Sequence, residues 1–291
     1  MWRSATHGTL LARHCRFVLD SVAMTNRDDK YALITGGSRG IGRGIALALA
    51  ETGLKVAIHY FRNESAARET LAEVCKRGSD GILVQADVLD PAQIAAMFAL
   101  VKSEFGKLDV FVSNARPEAS EFFVGPLDIS LTQWATAFDS QAKAFLVATR
   151  EALALMGVGG RVIALTYAEG SRTGGVQPWV AMGSAKAALE SMVRYFAVTV
   201  AKRAITVNAI SPGWTEDSVL NSFPDAVQDL IRKWHERGWT PMGRLGTPAD
   251  IGNVAALLCS EKASWITGQV IYADGGASLM NPEVPPEIQI G

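Results

Sequence analysis

Short apolar runs alternate with longer segments of helical period from Tyr31 onward. The short runs are rich in Val, Ile and Leu and lack polar alternation, which is typical of strands buried on both faces of a parallel sheet. The predicted strands are Tyr31–Thr35, Lys55–Tyr60, Gly81–Gln85, Leu108–Ser113, Arg161–Thr166, Ile205–Ser211 and Val270–Ala273. The predicted helices are Ile41–Thr52, Glu64–Arg77, Pro91–Phe105, Ser130–Leu155, Ala181–Lys202 and Thr247–Ser260.

This alternation predicts an α/β fold: a Rossmann-type, doubly wound parallel sheet in three layers, forming a single domain over residues 29–280. Asp90 before Pro91 supports one helix start, because it is an N-cap residue followed by proline at the first helical position. The domain carries an insertion at 214–239, rich in aromatic and charged residues. We expect a substrate loop there, with a partner-facing surface subdomain as the alternative. Residues 281–291 are expected to form a C-terminal tail.

The segment 1–28 differs in composition from the rest of the chain. It contains Arg3, Arg13 and Arg16 and has no acidic residue before Asp20, as in a mitochondrial transit peptide. Met24, however, opens a segment that resembles an ordinary N-terminus. We therefore expect a disordered or targeting extension over 1–28 and a cytoplasmic protein. The alternative is a mitochondrial protein, if the first ~25 residues act as a transit peptide.

Composition excludes several classes of partner. The formal net charge of the 291 residues is −1, so we expect neither nucleic-acid nor acidic-lipid binding. No run of about 18 or more apolar residues occurs, so we expect no membrane span. Cys15, Cys75 and Cys259 lie far apart and match no metal-ligand spacing, so we expect no metal site.

A glycine-rich segment from Thr35 to Gly42 follows the first predicted strand and opens the first helix. Glycines there let the backbone turn tightly and let a pyrophosphate approach the amides at the positive end of the helix dipole. This context of strand, turn and helix predicts a dinucleotide site. The candidate cofactor-binding residues of this loop are Gly36, Ser38, Arg39, Gly40, Ile41 and Gly42.

The end of the second strand indicates which dinucleotide binds. An acidic residue there would bind a ribose 2′-hydroxyl and repel a 2′-phosphate. The chain instead has Tyr60 and Arg62 at this point, and Arg39 in the glycine loop. Two arginines without an acid favour a phosphate, so we predict NADP(H) and include Tyr60 and Arg62 in its site.

The spacing Gly-x-x-x-Gly-x-Gly resembles that of the short-chain dehydrogenase/reductase family, and the resemblance extends from Tyr31 to Leu279. Further similar segments are Asp87-Val88, Ser113-Asn114-Ala115, Ser211-Pro212-Gly213, Ile266–Gln269 and Asp274-Gly275-Gly276. The resemblance implies a nucleotide lying across the carboxyl ends of the strands.

The same resemblance implies individual roles at these segments. Asp87, followed by Val88, would hydrogen-bond the adenine. Asn114 and Ala115 would line the adenosine ribose. The residues implied to hold the nicotinamide amide are Pro212, Gly213 and Thr215.

The catalytic signature of the family, Tyr-x-x-x-Lys, is incomplete in this chain. Lys186 lies in a segment similar to the family helix, and the lysine of that motif binds the nicotinamide ribose and lowers the pKa of the tyrosine. Met182 occupies the tyrosine position and cannot transfer a proton. Related enoyl-thioester reductases place their tyrosine where this chain has Trp179, whose indole is no acid near neutral pH.

Other family positions are altered too. Tyr167 takes the place of the usual serine, and Gln141 that of an asparagine that helps to hold a water. We predict Tyr167 as the proton donor beside Lys186, with a pocket-lining aromatic as the alternative. Arg116 replaces a glycine and either polarises a substrate carbonyl, holds a carboxylate, or forms a surface ion pair. The candidate substrate pocket comprises Arg116, Trp179, Met182 and Trp214, and all four histidines, His59 included, are expected to be incidental.

These residues predict an NADPH-dependent oxidoreductase that reduces an activated C=C, C=N or C=O bond of a small molecule or acyl intermediate with a non-standard proton donor. The segments 113–116 and 216–220 add a distant likeness to the enoyl-acyl-carrier-protein reductase branch of the family. The alternative is a protein of this fold without redox chemistry: a cyclase or isomerase, or a nucleotide-sensing partner subunit. The segment 263–276 resembles a family interface, which implies a homotetramer or homodimer.

Overall fold

The computed structural model describes residues 29–117, 123–167, 174–175, 178–216, 219–281 and 283–289. Seven strands form one sheet of order β3-β2-β1-β4-β5-β6-β7, and every neighbouring pair is parallel. Their bounds are β1 Tyr31–Ile34, β2 Lys55–Tyr60, β3 Gly81–Gln85, β4 Val110–Ser113, β5 Arg161–Leu165, β6 Thr206–Pro212 and β7 Val270–Ala273. The order reverses between β1 and β4, which makes their carboxyl ends the switch point of the sheet.

Helices connect these strands. Their bounds are α1 Gly40–Glu51, α2 Glu64–Lys76, α3 Pro91–Phe105, α4 Leu131–Phe138, α5 Ala144–Leu155, α6 Val180–Val200, α7 Asp225–Trp234, α8 Pro248–Cys259 and α9 Pro286–Gln289. None of the described helices has the length and apolar character needed to cross a bilayer.

Alternate residues of each strand enter two different apolar cores. Ala32 and Ile34 of β1 pack with α1, α2 and α8 on one face of the sheet. Tyr31 and Leu33 pack with α3, α5 and α6 on the other. This confirms the predicted fold of three layers and a single domain, because strands with both faces buried have no polar alternation.

The segment predicted as one helix over Ser130–Leu155 is interrupted. A π-helical turn, Asp139–Lys143, separates α4 from α5, so the prediction of an unbroken helix is wrong. A π turn takes in one extra residue and leaves the apolar period on both sides almost unchanged, which is why periodicity does not detect it.

The insertion at 214–239 contains a helix of its own. Within its described part, α7 runs into a second π-helical turn, His235–Trp239, in which Gly238 has a left-handed, non-helical conformation with a φ of 106°. The predicted N-terminal extension, 1–28, lies outside the described residues. In the tail, residues 283–289 include the short helix α9.

Candidate functional site

A cavity of about 960 Å³ lies along the carboxyl ends of the strands. It extends from the glycine loop to the start of α6, and nearly all predicted site residues line it. Those residues are Gly36, Ser38, Arg39, Ile41, Gly42, Tyr60, Arg62, Asp87, Val88, Asn114, Ala115, Arg116, Tyr167, Trp179, Met182, Lys186, Pro212, Gly213, Trp214 and Thr215. The topology therefore gathers residues from seven separate chain segments at one edge of the sheet.

Gly40 is the exception among the predicted residues. It lines a second, more open cleft, together with Arg39 and Arg43. Its φ of 53° explains the residue type, because a side chain would strain the backbone there. Gly40 thus shapes the loop where α1 begins, and its part in cofactor binding stays a prediction.

Thr35 and Asn114 join the glycine loop to the end of β4. The Asn114 side-chain amide donates to the carbonyl oxygens of Thr35 at 2.9 Å and Gly36 at 3.1 Å. The Thr35 hydroxyl in turn accepts hydrogen bonds from the backbone amides of Asn114 and Ala115, at 2.9 and 3.1 Å. A Cβ on Gly42 would lie only 2.1 Å from the Gly36 oxygen, so the loop closes on itself without room for a side chain.

His59 belongs to this network, and its prediction as incidental is wrong. Its Nδ1 accepts a hydrogen bond from the Gly36 amide at 3.0 Å, which leaves Nε2 as the donor to the Ala86 carbonyl, also at 3.0 Å. Burial lowers the pKa of His59 to about 4, so the ring is neutral in the folded protein. The signal in the sequence was a lone histidine that follows the apolar run Val56–Ile58 in this strand.

Lys186, on α6, lies at the end of the cavity away from the glycine loop. Its Nζ donates to the Leu165 carbonyl at 2.6 Å, and the side chain is almost fully buried. Burial and, next, the nearby Arg116 guanidinium lower the pKa of Lys186 to about 7, against an opposing effect of Glu190. Two basic groups, Lys186 and Arg116, therefore act on each other beside the cavity.

Met182 lies one helical turn before Lys186 and lines the same cavity. It is 2% exposed and packs against Ala137, Ala181 and Ala185. Its thioether is held by apolar contacts and carries no proton to transfer. Tyr167, the first residue beyond Thr166 at the end of β5, also lines this cavity.

Four aromatic rings form one wall of the cavity, which we call the aromatic wall: Phe123, Trp179, Trp214 and Phe223. Phe123 packs edge-on against Trp179 at 4.9 Å and against Phe223 at 5.4 Å between ring centroids. Trp214 lies 6.0 Å from Phe223. Phe123 and Phe223 were missed in the sequence because each lies in an irregular segment, where no period marks the buried face.

Gln141, expected near the reacting groups, is buried in the π-helical turn. Its side-chain amide donates to the Ala115 carbonyl at 3.3 Å. The neighbouring Ser140 lines the cavity, whereas Gln141 does not. Gln141 therefore holds the segment after β4 through this hydrogen bond to the Ala115 carbonyl.

Known proteins resemble this chain over most of its length. The family model described as enoyl-(acyl carrier protein) reductase matches residues 36–278. Tetrahydroxynaphthalene reductase PfmaG of Pestalotiopsis fici is 34% identical over 260 residues, covering 85% of this chain and 91% of the relative. The 1-cyclohexenylcarbonyl-CoA reductase of Streptomyces collinus is 36% identical over 253 residues, covering 87% and 88%. The angucycline C-6 ketoreductase LanV, solved with bound NADP, is 33% identical, with a TM-score of 0.77 and coverage of 86% and 96%.

The chain belongs to the short-chain dehydrogenase/reductase family. The predicted resemblance is thereby confirmed, and this member of the family is an NAD(P)-dependent reductase that acts on a small molecule.

The cofactor of this short-chain reductase is NADP(H), and the cavity fits that choice. Arg39 and Arg62 line it near the end of β2, and β2 itself, Lys55–Tyr60, contains no acidic residue. Arg62 also lies over the Phe61 ring, 4.6 Å from its centroid, which holds the guanidinium beside the cavity. Asn63, the N-cap of α2, lines the same end. This cluster suits a phosphate on the adenosine ribose.

The state of His59 predicts a loss of stability in acid. The unfolded chain protonates this histidine near its ordinary pKa of 6.5, whereas the folded protein resists protonation until about pH 4. The unfolded state binds more protons between these values, so the free energy of unfolding should fall as the pH drops through this window, by up to about 3 kcal/mol.

Urea unfolding of wild type and His59→Gln between pH 7 and 4 measures this effect. Glutamine retains an acceptor and a donor for Gly36 and Ala86 but does not titrate. We expect the variant to have a shallower dependence on pH. Equal slopes for the two proteins would contradict this role for His59.

Proposed function

We propose that this short-chain reductase reduces a C=C bond conjugated to a carbonyl, and that Arg116, Lys186 and Tyr167 together replace the usual tyrosine. The observation that carries the proposal is the pairing of the buried, proton-free Met182 with two basic groups at the same end of the cavity. Hydride addition at the β-carbon places negative charge on the carbonyl oxygen. Preorganised donors and positive charge stabilise such an oxyanion without a strong acid.

Each of the residues has a proposed part. Arg116 donates hydrogen bonds to the carbonyl oxygen, and Lys186 binds the nicotinamide ribose and adds positive charge. Tyr167 transfers the proton, since a neighbouring ammonium lowers the pKa of a phenol. With Tyr167 as the proton donor, the same site can reduce a C=O bond, which is our second candidate. Reduction of an iminium C=N bond needs no proton donor.

Bound NADP(H) supplies the hydride. We propose that Arg39 and Arg62 bind its 2′-phosphate and that the amides of the glycine loop bind its pyrophosphate. Asp87 and Val88 would contact the adenine. The residues proposed for the adenosine ribose and the nicotinamide amide are Asn114, Ala115, Pro212, Gly213 and Thr215.

The aromatic wall supports a flat, apolar substrate. Trp179 and Trp214 contribute large apolar surfaces to the cavity that Arg116 and Tyr167 also line. Edge-on packing between the rings limits their movement and gives the wall a defined shape. The names of the relatives agree with a cyclic substrate: one is a tetrahydroxynaphthalene reductase and one a 1-cyclohexenylcarbonyl-CoA reductase. The cyclohexenyl thioester supports the C=C candidate, and the ketoreductase LanV supports the C=O candidate.

Removal of the arginines tests the phosphate contact. In Arg39→Ala and Arg62→Ala the affinity for NADPH should fall roughly tenfold or more, because each loses a charge-assisted hydrogen bond. The affinity for NADH should stay unchanged. Arg43→Ala is the matched control, because Arg43 lines only the second cleft. Fluorescence titration measures both affinities, and equal losses for the two cofactors would refute the assignment.

Turnover of three substrate classes tests the function. Wild-type protein should bind NADPH and oxidise it with cyclic enones faster than with ketones or iminium ions. Lys186→Ala should abolish turnover, and Tyr167→Phe should lower kcat about 100-fold without changing NADPH affinity. Met182→Tyr should raise ketone reduction. Binding without turnover of any class would favour a cyclase, isomerase or nucleotide-sensing subunit, and an unchanged rate in Tyr167→Phe would remove its part as proton donor.

We also propose a homotetramer or homodimer. Tyr195 and Val198 on α6 are 76% and 80% exposed, and Trp265 before the edge strand β7 is 98% exposed. Large apolar side chains at these places suit contact with a second copy. Native mass spectrometry should give two or four times the chain mass of 31.1 kDa; a monomer would contradict the proposal.

A cytoplasmic location, with mitochondria as the alternative, stays a prediction.

A further inference from the structure

Thr166 and Glu190 form a buried pair beside the proposed reacting groups. The Thr166 hydroxyl donates to Glu190 Oε1 at 2.6 Å, and the two residues are 5% and 3% exposed. Thr166 lines the cavity and directly precedes Tyr167. A buried carboxylate destabilises a protein unless hydrogen bonds or opposite charge compensate it.

Two hydrogen bonds join the end of β5 to successive turns of α6. Lys186 Nζ donates to the Leu165 carbonyl at 2.6 Å. One residue further along, Thr166 bonds Glu190, which lies one helical turn after Lys186. Residues four apart share a helix face, so the ammonium and the carboxylate flank the same short stretch of chain. This stretch leads directly into Tyr167.

The charges around Lys186 oppose each other. Burial and, next, Arg116 after β4 lower the pKa of Lys186, whereas the Glu190 carboxylate on the same helix as Lys186 raises it. The titratable group beyond the end of β5 is Tyr167, and Arg194 donates to the Glu190 backbone oxygen from the next turn at 3.1 Å. In the described part of the chain, Glu190 is the acidic residue that counteracts Arg116 at this lysine.

We propose that Glu190 is a positioning residue: its charge keeps Lys186 protonated beside Arg116, and its bond to Thr166 fixes the end of β5 before Tyr167. This inference rests on the proposed function in taking Lys186 and Tyr167 as the working groups. A protonated Lys186 stabilises an oxyanion and donates hydrogen bonds to ribose hydroxyls. Near neutral pH, the protonation of Lys186 depends on the opposing charges of Arg116 and Glu190.

An NMR titration of Lys186 tests the charge without any substrate. In full-length protein labelled with ¹³C at the lysine Cε, the Lys186 signal is assigned by its loss in Lys186→Met. Glu190→Gln keeps an acceptor for Thr166 but removes the charge, so the titration midpoint should move down by about one pH unit or more. Glu190→Asp keeps the charge and should titrate near wild type. Glu73→Gln, which removes a surface carboxylate paired with Lys76, is the control and should leave the midpoint unchanged.

The double variant Thr166→Val/Glu190→Leu covers a failure of Glu190→Gln to fold, because replacing both partners by apolar groups is well tolerated. It should show the same downward shift. A Lys186 midpoint equal to wild type in a folded variant lacking the Glu190 charge would overturn the proposal, whatever the protein reduces. Thr166→Val should lower kcat about 10-fold or more while Thr166→Ser restores it; a wild-type rate in Thr166→Val would overturn the part that concerns β5.

Discussion

The joint between the ends of β1 and β4, a network of hydrogen bonds that links Thr35 and Gly36 to Asn114 and Ala115, is the constraint on which the site depends. Two backbone amides donate to the Thr35 hydroxyl, and the Asn114 side chain donates back to the carbonyls that open the glycine loop. His59 fixes the same loop from the side of β2. β1 and β4 are paired, but the helices that follow them, α1 and α5, pack on opposite faces of the sheet. The crevice between these two connections is part of the cavity. Every donor in the joint is used by the protein itself, so the loop has its shape before a cofactor arrives.

The two ends of the cavity differ in how far they follow the family. At the end formed by β1, β2 and β4, the cavity is lined by glycines, Asn114 and two arginines, the residues proposed to bind the phosphorylated dinucleotide. At the other end Lys186 is retained, but an apolar Met182 precedes it and Arg116 stands nearby. In the proposed site, positive charge and apolar surface take the place of an acid. This suits a reaction whose transition state needs stabilised negative charge on oxygen more than a proton delivered at once.

Much of the fold could be predicted from the sequence, because buried parallel strands and amphipathic helices leave distinct patterns and the glycine loop has a defined context. Patterns of this kind are local. The role of His59 depends on a contact with Gly36 across the sheet, and the aromatic wall depends on Phe123 and Phe223 meeting from distant irregular segments. The π-helical turn at Gln141 changes the register of a helix without changing its composition. Such features follow from three-dimensional packing, which a single sequence does not display.

We propose that a complete NADP(H) site works here with a relocated proton donor. Transfer of deuterium from [4,4-²H₂]NADPH to a cyclic enone, followed by mass spectrometry and NMR of the product, tests it most directly. The account predicts one deuterium at the β-carbon, and in D₂O with unlabelled NADPH one solvent deuterium at the α-carbon. Deuterium at a carbinol carbon would show that a C=O bond is reduced instead. No transfer to any substrate by protein that binds NADPH would contradict the account.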